Sequence, residues 1–270
     1  MTGTVLAIGA HPDDIEFMMA GTLILLKDAG FRIHCLNVAN GSCGSAVHSR
    51  AAIVRIRAKE AQAAARLVGA VFHPSLVNDI EIFYEKKTLA RLGAIVREAN
   101  PDIVLAPSPE DYMEDHTTTS RLAVTATFCR GMRNFPTSPP TRPVDRNCTL
   151  YHALPYGLHD QLRRRITASQ YVDIAAVLQR KRAMLACHKS QKEWLDHSQG
   201  VDAYLKAMEE LSRDMGRMSG RFRYAEGWRR HSHLGFSPTD RDPLSSVLGK
   251  ERVSWQDGSS PGNSSFRPSS

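Results

Sequence analysis

The sequence lacks the segments that would place it in a membrane or direct its export. No apolar run approaches the roughly 18 residues that a membrane-spanning helix requires. The first residues, MTGTVLAIGAHPDD, contain neither a basic region nor a small-residue cleavage site, so they do not resemble a signal peptide. We therefore expect a soluble, cytoplasmic protein with no transmembrane segment.

Cysteine is also scarce. The five cysteines are scattered, odd in number and include no C-x-x-C pair. This pattern predicts neither a disulfide framework nor a zinc knuckle, so free thiols are expected.

Motifs of nucleic-acid binding are absent as well, although the net charge is +7. The excess of basic residues concentrates in the second half of the chain, where such clusters usually form solvated faces of helices and loops. Because no helix-turn-helix, RNP or KH signature accompanies them, the sequence argues against nucleic acid as a partner. The basic balance instead suits a small-molecule substrate that carries a phosphate or another anionic group.

The sequence does contain short apolar runs that alternate with longer helical patterns, and 42% of its 270 residues are hydrophobic. We expect strands at residues 5–10, 31–39, 71–77, 102–106 and 150–154. We expect helices at residues 17–29, 51–68, 87–99, 117–130, 172–188 and 201–215. This alternation predicts an α/β fold with a mostly parallel sheet and helices on both faces.

A single domain is expected over residues 1–248, because the chain shows no internal repeat and no linker before that point. Residues 249–270 are rich in Ser, Gly and Pro. Such a composition cannot bury enough apolar surface to fold by itself, so we expect a disordered C-terminal tail.

Polar side chains follow two of the expected strands. His11, Asp13 and Asp14 come directly after the apolar run that ends at Ala10. A second cluster, SPEDYMEDH, follows the strand expected at 102–106. Because ligands of open α/β sheets bind at the carboxyl ends of the strands, both clusters are predicted to lie at the same edge of one sheet.

Together the two clusters have the donors of a catalytic zinc site, which takes three protein ligands from His and Asp or Glu. His11 and Asp14 supply two ligands from one turn, and Asp115 or His116 supplies the third. Asp13 then remains free to act as a general base on a water molecule. The structural alternative is that these aspartates cap the helices that follow them. Asp115 has a further possible role, since a carboxylate beside a ligand can orient the imidazole of His116.

The sequence AHPDDIE after a first strand, with EDH at residues 114–116, resembles the PIG-L/LmbE-like family of zinc-dependent de-N-acetylases. The resemblance runs from about residue 4 to 235 and includes RAKEAQAAARLVGA, KRAMLACHKSQ and YAEGW. It implies a Rossmann-like fold and one zinc ion per chain held by His11, Asp14 and His116, with Asp13 as the base. It also implies an acetylated sugar conjugate of the N-acetylglucosamine type, or a related amide, as the substrate.

The second motif departs from the family pattern at Met113, where many members have the first histidine of His-Pro-Asp-His. That histidine is often assigned to transition-state stabilisation or proton donation, which a thioether cannot provide. His188, in ACHKSQ, is our first candidate for the missing donor, and Tyr112 is the second. The alternative for His188 is a cation that interacts favourably with the C-terminal end of a helix.

The resemblance also suggests two substrate-binding residues. It implies that Arg57 lies near the polar groups of the substrate and that Asp79 is a sugar-binding carboxylate. The structural alternatives are an ion pair between Arg57 and Glu60, one helical turn away, and an ordinary turn position for Asp79.

We therefore expect a metal-dependent amide hydrolase, an N-deacetylase. Two other functions remain open. A His-x-Asp pair with a distant histidine also resembles the two-His-one-carboxylate site of non-heme Fe(II) enzymes, although those using 2-oxoglutarate generally have β-rich folds. The third function is a non-catalytic basic module that binds an acidic partner. The sequence does not decide the oligomeric state, and a homo-oligomer is compatible with it.

Overall fold

The computed structural model describes residues 3–192 and 203–256. This part of the chain contains eight strands: β1 (Thr4–Gly9), β2 (Arg32–Asn37), β3 (Val71–His73), β4 (Ile103–Ala106), β5 (Thr149–Ala153), β6 (Gln170–Asp173), β7 (Ala225–Arg230) and β8 (Val253–Trp255). They form one sheet in the order β3-β2-β1-β4-β5-β7-β6-β8. The first five strands of this order are parallel, and the last three join antiparallel.

Helices cover both faces of the sheet. Those described are α1 (Asp14–Met18), α2 (Ala20–Asp28), α3 (Arg50–Leu67), α4 (Lys86–Ala99), α5 (Glu114–Phe128), α6 (Leu178–Leu185), α7 (Ala203–Met218) and α8 (Pro243–Leu248). Along β1, Val5 and Ala7 belong to the core cluster that includes α2, α6 and α7, whereas Leu6 and Ile8 belong to the cluster under α4 and α5. A strand buried on both faces explains the continuous apolar run in the sequence.

The predicted α/β fold with a mostly parallel sheet is confirmed, while the ends of several elements differ. The helix expected at 17–29 is two helices, because the backbone leaves the helical conformation at Met19. The helix expected at 172–188 is wrong at its start, since residues 170–173 form β6. Tyr171 and Val172 are buried there by pairing with β7 and β8, and this tertiary pairing overrides the local helical pattern.

The fold also extends further than residue 248. Val253 is 1% exposed in β8, and this strand pairs with β6. Residues 253–255, which the composition assigned to a tail, are therefore part of the sheet. The last part of that expected tail, 257–270, lies outside the described residues, as do residues 201 and 202 of the last expected helix. Within the described part of the chain, no helix is long and apolar enough to cross a membrane.

Candidate active site

The turn after β1 is shaped by the Asp14 side chain. Its Oδ2 accepts hydrogen bonds from the backbone N–H groups of Ala10, at 2.9 Å, and His11, at 2.8 Å. Asp13, the residue before Asp14, has a φ of +106°, a conformation that non-glycine residues rarely adopt. The Asp13 side chain makes no capping hydrogen bond to α1, so the Asp13 carboxylate is not used to cap the helix.

Two histidines meet at this turn, His11 from the turn itself and His116 from α5. His11 Nδ1 lies 3.7 Å from Asp14 Oδ2, and His116 Nε2, in the first turn of α5, lies 3.4 Å from the same oxygen. The three ligand atoms all lie within 4.8 Å of one another. They meet because β1 and β4 are adjacent and parallel, so the segments that follow them leave the sheet at the same edge.

Each imidazole is held by a second carboxylate on its other nitrogen. His11 Nε2 donates to Asp115 Oδ2 at 2.9 Å, and His116 Nδ1 lies 3.0 Å from Asp111 Oδ2. The expectation that Asp115 orients His116 is therefore wrong. Because Asp115 lies in the first turn of α5, its side chain faces His11 instead, and Asp111 from the preceding loop takes the expected role.

The carboxylates make this cluster favourable for positive charge. Burial opposes the charge on His116, but Asp14 and Asp111 outweigh it and raise the pKa of His116 to about 11. The pKa of His11 is also raised, since Asp115 and Asp14 outweigh burial. The two histidines in turn hold the pKa of Asp14 far below its usual range, even though burial acts in the opposite direction.

This group of His11, Asp14 and His116 can hold a metal ion. Ligand atoms 2.0–2.2 Å from a tetrahedral ion lie roughly 3.3–3.6 Å apart, close to the two distances measured here. His116 Nε2 is buried with no hydrogen-bond partner among the described residues, which is the state of a nitrogen that ligates a metal. The carboxylates on the opposite nitrogens complete the usual arrangement of metal-bound histidines.

Asp13 does not point at the histidines. Its Oδ2 accepts a 2.7 Å hydrogen bond from the hydroxyl of Tyr204, on α7, and lies 3.3 Å from Nη2 of Arg57. Burial raises the pKa of Asp13, while Arg57 opposes that change. The two adjacent aspartates therefore have different surroundings, as a ligand and a base require.

Arg57 enters the site from α3. Its guanidinium donates to the backbone oxygen of Pro12 and lies beside Asp13. Gly41 and Gly44 allow this approach, because a Cβ on either residue would collide with the Arg57 side chain. Arg57 does not pair with Glu60, whose carboxylate accepts from the backbone and hydroxyl of Ser190.

Asp79 lines the same cavity, but its carboxylate organises a loop. Oδ1 accepts from the backbone N–H of Gly41 at 2.7 Å, and Oδ2 from that of Cys43 at 2.9 Å. The side chain therefore fixes the loop after β2 at the edge of the cavity. Substrate binding by Asp79 stays a prediction, using whichever lone pairs these two bonds leave free.

His188 lies in the interior of the protein, beside Glu16. It is fully buried, so it is no surface cation, and it is absent from the residues that line the cavity. Its Nε2 lies 3.2 Å from Oε2 of Glu16, which is also buried. The turn that follows α6 directs His188 toward Glu16 of α1, and the charge of His188 also interacts with that of Asp13. Proton donation by His188 stays a prediction.

The cluster opens into a cavity of about 450 Å³, within the usual size of small-molecule sites. Tyr112 and Met113 both line it. The ring of Tyr112 lies edge-on to His116 at 5.9 Å between centroids. Partial burial, together with the charges of Asp14 and Asp111, raises the pKa of Tyr112. The sequence did not single out two important residues, Asp111 and Tyr204. Asp111 sits within the quoted second cluster, whereas Tyr204 has no motif to mark it.

Comparison with known proteins agrees with this geometry. Residues 6–127 match the family model described as "PIG-L: GlcNAc-PI de-N-acetylase". The chain carries a PIG-L family domain. The matched residues of this PIG-L domain include the whole cluster of His11, Asp14 and His116.

The relatives of this chain have two kinds of named activity. The diacetylchitobiose deacetylase of Thermococcus kodakarensis is 28% identical over 232 residues, which cover 83% of this chain and 82% of the relative. The 4-oxalmesaconate hydratase of Pseudomonas putida is 24% identical over 233 residues, covering 83% and 87% of the two chains. The structure of N,N'-diacetylchitobiose deacetylase from Pyrococcus horikoshii matches with a TM-score of 0.72 and 25% identity, over 90% of this chain and 88% of that one.

Proposed function

We propose that this protein is a zinc-dependent N-deacetylase that hydrolyses the acetamide of an N-acetylglucosamine-type sugar conjugate. The observation that carries the proposal is the cluster of His11, Asp14 and His116 at a cavity wall. The Asp13 carboxylate lines the same cavity and is hydrogen-bonded by Tyr204 instead of by these histidines. Two relatives that are named as diacetylchitobiose deacetylases support the substrate class.

The metal would be held by His11 Nδ1, Asp14 Oδ2 and His116 Nε2. Zinc bound there supplies a Lewis acid that polarises the amide carbonyl and makes the attacking water easier to deprotonate. Three protein ligands are the number that catalytic zinc sites use while keeping one position open.

Asp13 takes a proton from the attacking water as the water oxygen bonds to the amide carbon. Tyr204 and Arg57 hold the Asp13 carboxylate in one orientation for this transfer. The carbon–nitrogen bond then breaks, and the amine leaves with the proton that Asp13 received, so that the products are the free amine and acetic acid, which loses its proton to solvent as acetate. This return of the proton removes the need for a histidine at Met113.

Tyr112 supplies a second contribution from the cavity wall. Its phenol is a hydrogen-bond donor at neutral pH. It would donate to the oxygen of the amide carbonyl as negative charge develops there. His188 would act on stability, through Glu16, rather than on the reacting atoms.

Hydration of a carbon–carbon double bond is the second candidate. It is favoured by the hydratase among the relatives and by Met113, because a hydratase releases no amine and needs no donor for one. An Fe(II) site of His11 and Asp13 is disfavoured, since Asp14 and not Asp13 faces the histidines. A non-catalytic module is disfavoured by the enzymatic activities of both named relatives.

The deciding experiment incubates zinc-loaded and chelator-treated protein with diacetylchitobiose, with N-acetylglucosaminides and, separately, with 4-oxalmesaconate. We expect acetate release from an acetylated sugar by the zinc-loaded protein only. Asp13→Asn, loaded with zinc, is the control for contaminating deacetylase. Consumption of 4-oxalmesaconate without acetate release from any sugar would contradict the proposal and favour the hydratase.

A further inference from the structure

Three large apolar side chains stand exposed where the cavity opens. Ile80 is 68% exposed, Tyr112 50% and Tyr156 46%, and all three line the cavity. They follow β3, β4 and β5, strands that lie on both sides of β1 in the sheet. We call these three residues the apolar rim. They flank the turn that carries His11 and Asp14, which with His116 form the candidate metal site.

Aromatic rings connect the apolar rim with the interior of the site. Tyr156 packs edge-on against Phe17 of α1, with 5.4 Å between centroids, and against Tyr112 at 6.4 Å. Tyr112 in turn lies edge-on to His116. One wall of the cavity is thus aromatic from its opening to a metal-ligating side chain, so a ligand bound there would bury apolar surface along its length.

Ile80 has an unusual backbone conformation. Its φ is +63°, which is disfavoured for a β-branched residue. The conformation is held by its N–H, which donates to Asp115 Oδ2 at 2.8 Å, the same oxygen that accepts from His11. An exposed isoleucine in this conformation gains little from packing within the chain. Strained residues cluster at ligand sites, and a ligand contact accounts for an apolar side chain here.

The charge of the cavity does not favour an anionic group. Arg57 is the one permanent cation among the described residues that line it, and its guanidinium is already engaged by Pro12 and Asp13. Four carboxylates, those of Asp13, Asp14, Asp79 and Asp111, line the same cavity. Among the described residues that line the cavity, the anionic substrate group expected from the net charge therefore has no free cation to pair with.

From these observations, and resting on the proposed deacetylase function, we propose that the apolar rim binds an apolar aglycone of the acetylated sugar. The acetamide would lie at the candidate metal site. The group attached to the sugar would extend out of the cavity and pack on Tyr156, Tyr112 and Ile80. The preferred substrate is then a glycoside with an aromatic or aliphatic aglycone.

The test measures binding, so that it does not depend on turnover. The full-length, zinc-loaded Asp13→Asn variant, which keeps the proposed metal ligands but lacks the proposed base, is titrated calorimetrically with phenyl N-acetyl-β-glucosaminide, the methyl glycoside and N-acetylglucosamine 1-phosphate. We expect the phenyl glycoside to bind at least about tenfold more tightly than the other two. Ile80→Asn should abolish most of that preference without loss of thermal stability, because asparagine tolerates a positive φ.

Phe83→Asn is the matched control. Phe83 is also exposed, at 60%, and lies three residues from Ile80, but it does not line the cavity. Equal binding of the three ligands, tightest binding of the phosphate, or equal effects of the two substitutions would overturn the proposal. So would a concentration-dependent dimer that Ile80→Asn dissociates while the preference persists, since the rim would then contact a second copy. Tight phenyl-glycoside binding by the Asp13→Asn variant, together with no acetate release by the unsubstituted zinc-loaded protein, would leave the rim assignment intact and contradict the deacetylase function alone.

Discussion

Asp13 and Asp14 are adjacent in the sequence but belong to different parts of the site. Asp14 faces two imidazoles and two backbone N–H groups, whereas Asp13 faces a phenol and a guanidinium. The positive φ of Asp13 turns the two side chains apart. The proposed division between metal ligand and base would follow from this single backbone conformation.

Replacing each aspartate should separate these roles. Asp14→Ala removes a metal ligand, so we expect metal and activity to be lost together. Asp13→Asn keeps the ligands but cannot accept a proton, so zinc should stay bound while kcat falls by about a hundredfold to ten-thousandfold. Elemental analysis beside acetate release checks both. Loss of zinc from Asp13→Asn, with retention by Asp14→Asn, would reverse the assignment.

Tyr204 is expected to position Asp13. Tyr204→Phe removes the hydroxyl that donates to Asp13 and keeps the buried ring. We expect kcat to fall about tenfold, since a hydrogen bond to a charged group contributes about 1.5–3 kcal/mol, with KM and zinc content nearly unchanged. Steady-state kinetics measures the changes in kcat and KM separately. A rise in KM at constant kcat would instead mean that Tyr204 contacts the substrate.

His188 is expected to stabilise the fold. His188→Ala leaves Glu16 buried without its partner, and breaking a buried ion pair costs about 3–5 kcal/mol. Urea denaturation should show this loss, while zinc content and kcat of the folded protein change little. His188→Gln, which keeps a polar group near Glu16, guards against complete unfolding. A hundredfold fall in kcat with unchanged stability would restore His188 as a proton donor.

Much of the site could be predicted at the residue scale, because a motif joins His11, Asp13 and Asp14 within one turn. Asp111 and Tyr204 were not identified. Asp111 is one of several acidic residues in its loop, and only the direction of each side chain decides which carboxylate reaches His116. Tyr204 is 191 positions from Asp13, and such a contact depends on tertiary structure alone.

At the scale of elements, the strongly periodic helices and the buried parallel strands could be predicted from their patterns. β6 could not, since its residues continue into the pattern of α6 and become a strand only by pairing with β7 and β8.

The same region contains a fully buried ion pair between Lys181 of α6 and Glu226 of β7, at 2.7 Å. Glu226 also accepts from the backbone N–H groups of Gly21 and Thr22, so it joins three elements.

Lys181 and Arg180 offer a matched pair of substitutions on one helix. Lys181→Met leaves the buried Glu226 without its cation, so we expect a loss of about 3–5 kcal/mol in the free energy of unfolding. Arg180→Met removes an ion pair with Asp28 in which both side chains are 48% exposed, and should cost less than about 1 kcal/mol. Urea denaturation of both variants measures the difference, and equal losses would contradict the account.

At the scale of the whole molecule, the sheet topology assembles the site. The segments after β1 and β4 supply the three side chains of the candidate metal site, and those after β2, β3 and β5 supply the walls of the cavity. α7 then adds Tyr204 from a distant part of the chain. The alternation of strands and helices predicts the shared edge, but the sequence does not predict how closely the loops approach one another.

The most direct test of the central claim is a zinc titration of metal-free protein with acetate release as the readout. Activity should rise linearly and reach its maximum at one zinc per chain, and His116→Ala should neither retain zinc nor release acetate. Acetate release that persists in the metal-free protein, or an inactive protein that has bound one zinc per chain, would contradict the claim that His11, Asp14 and His116 hold a catalytic metal.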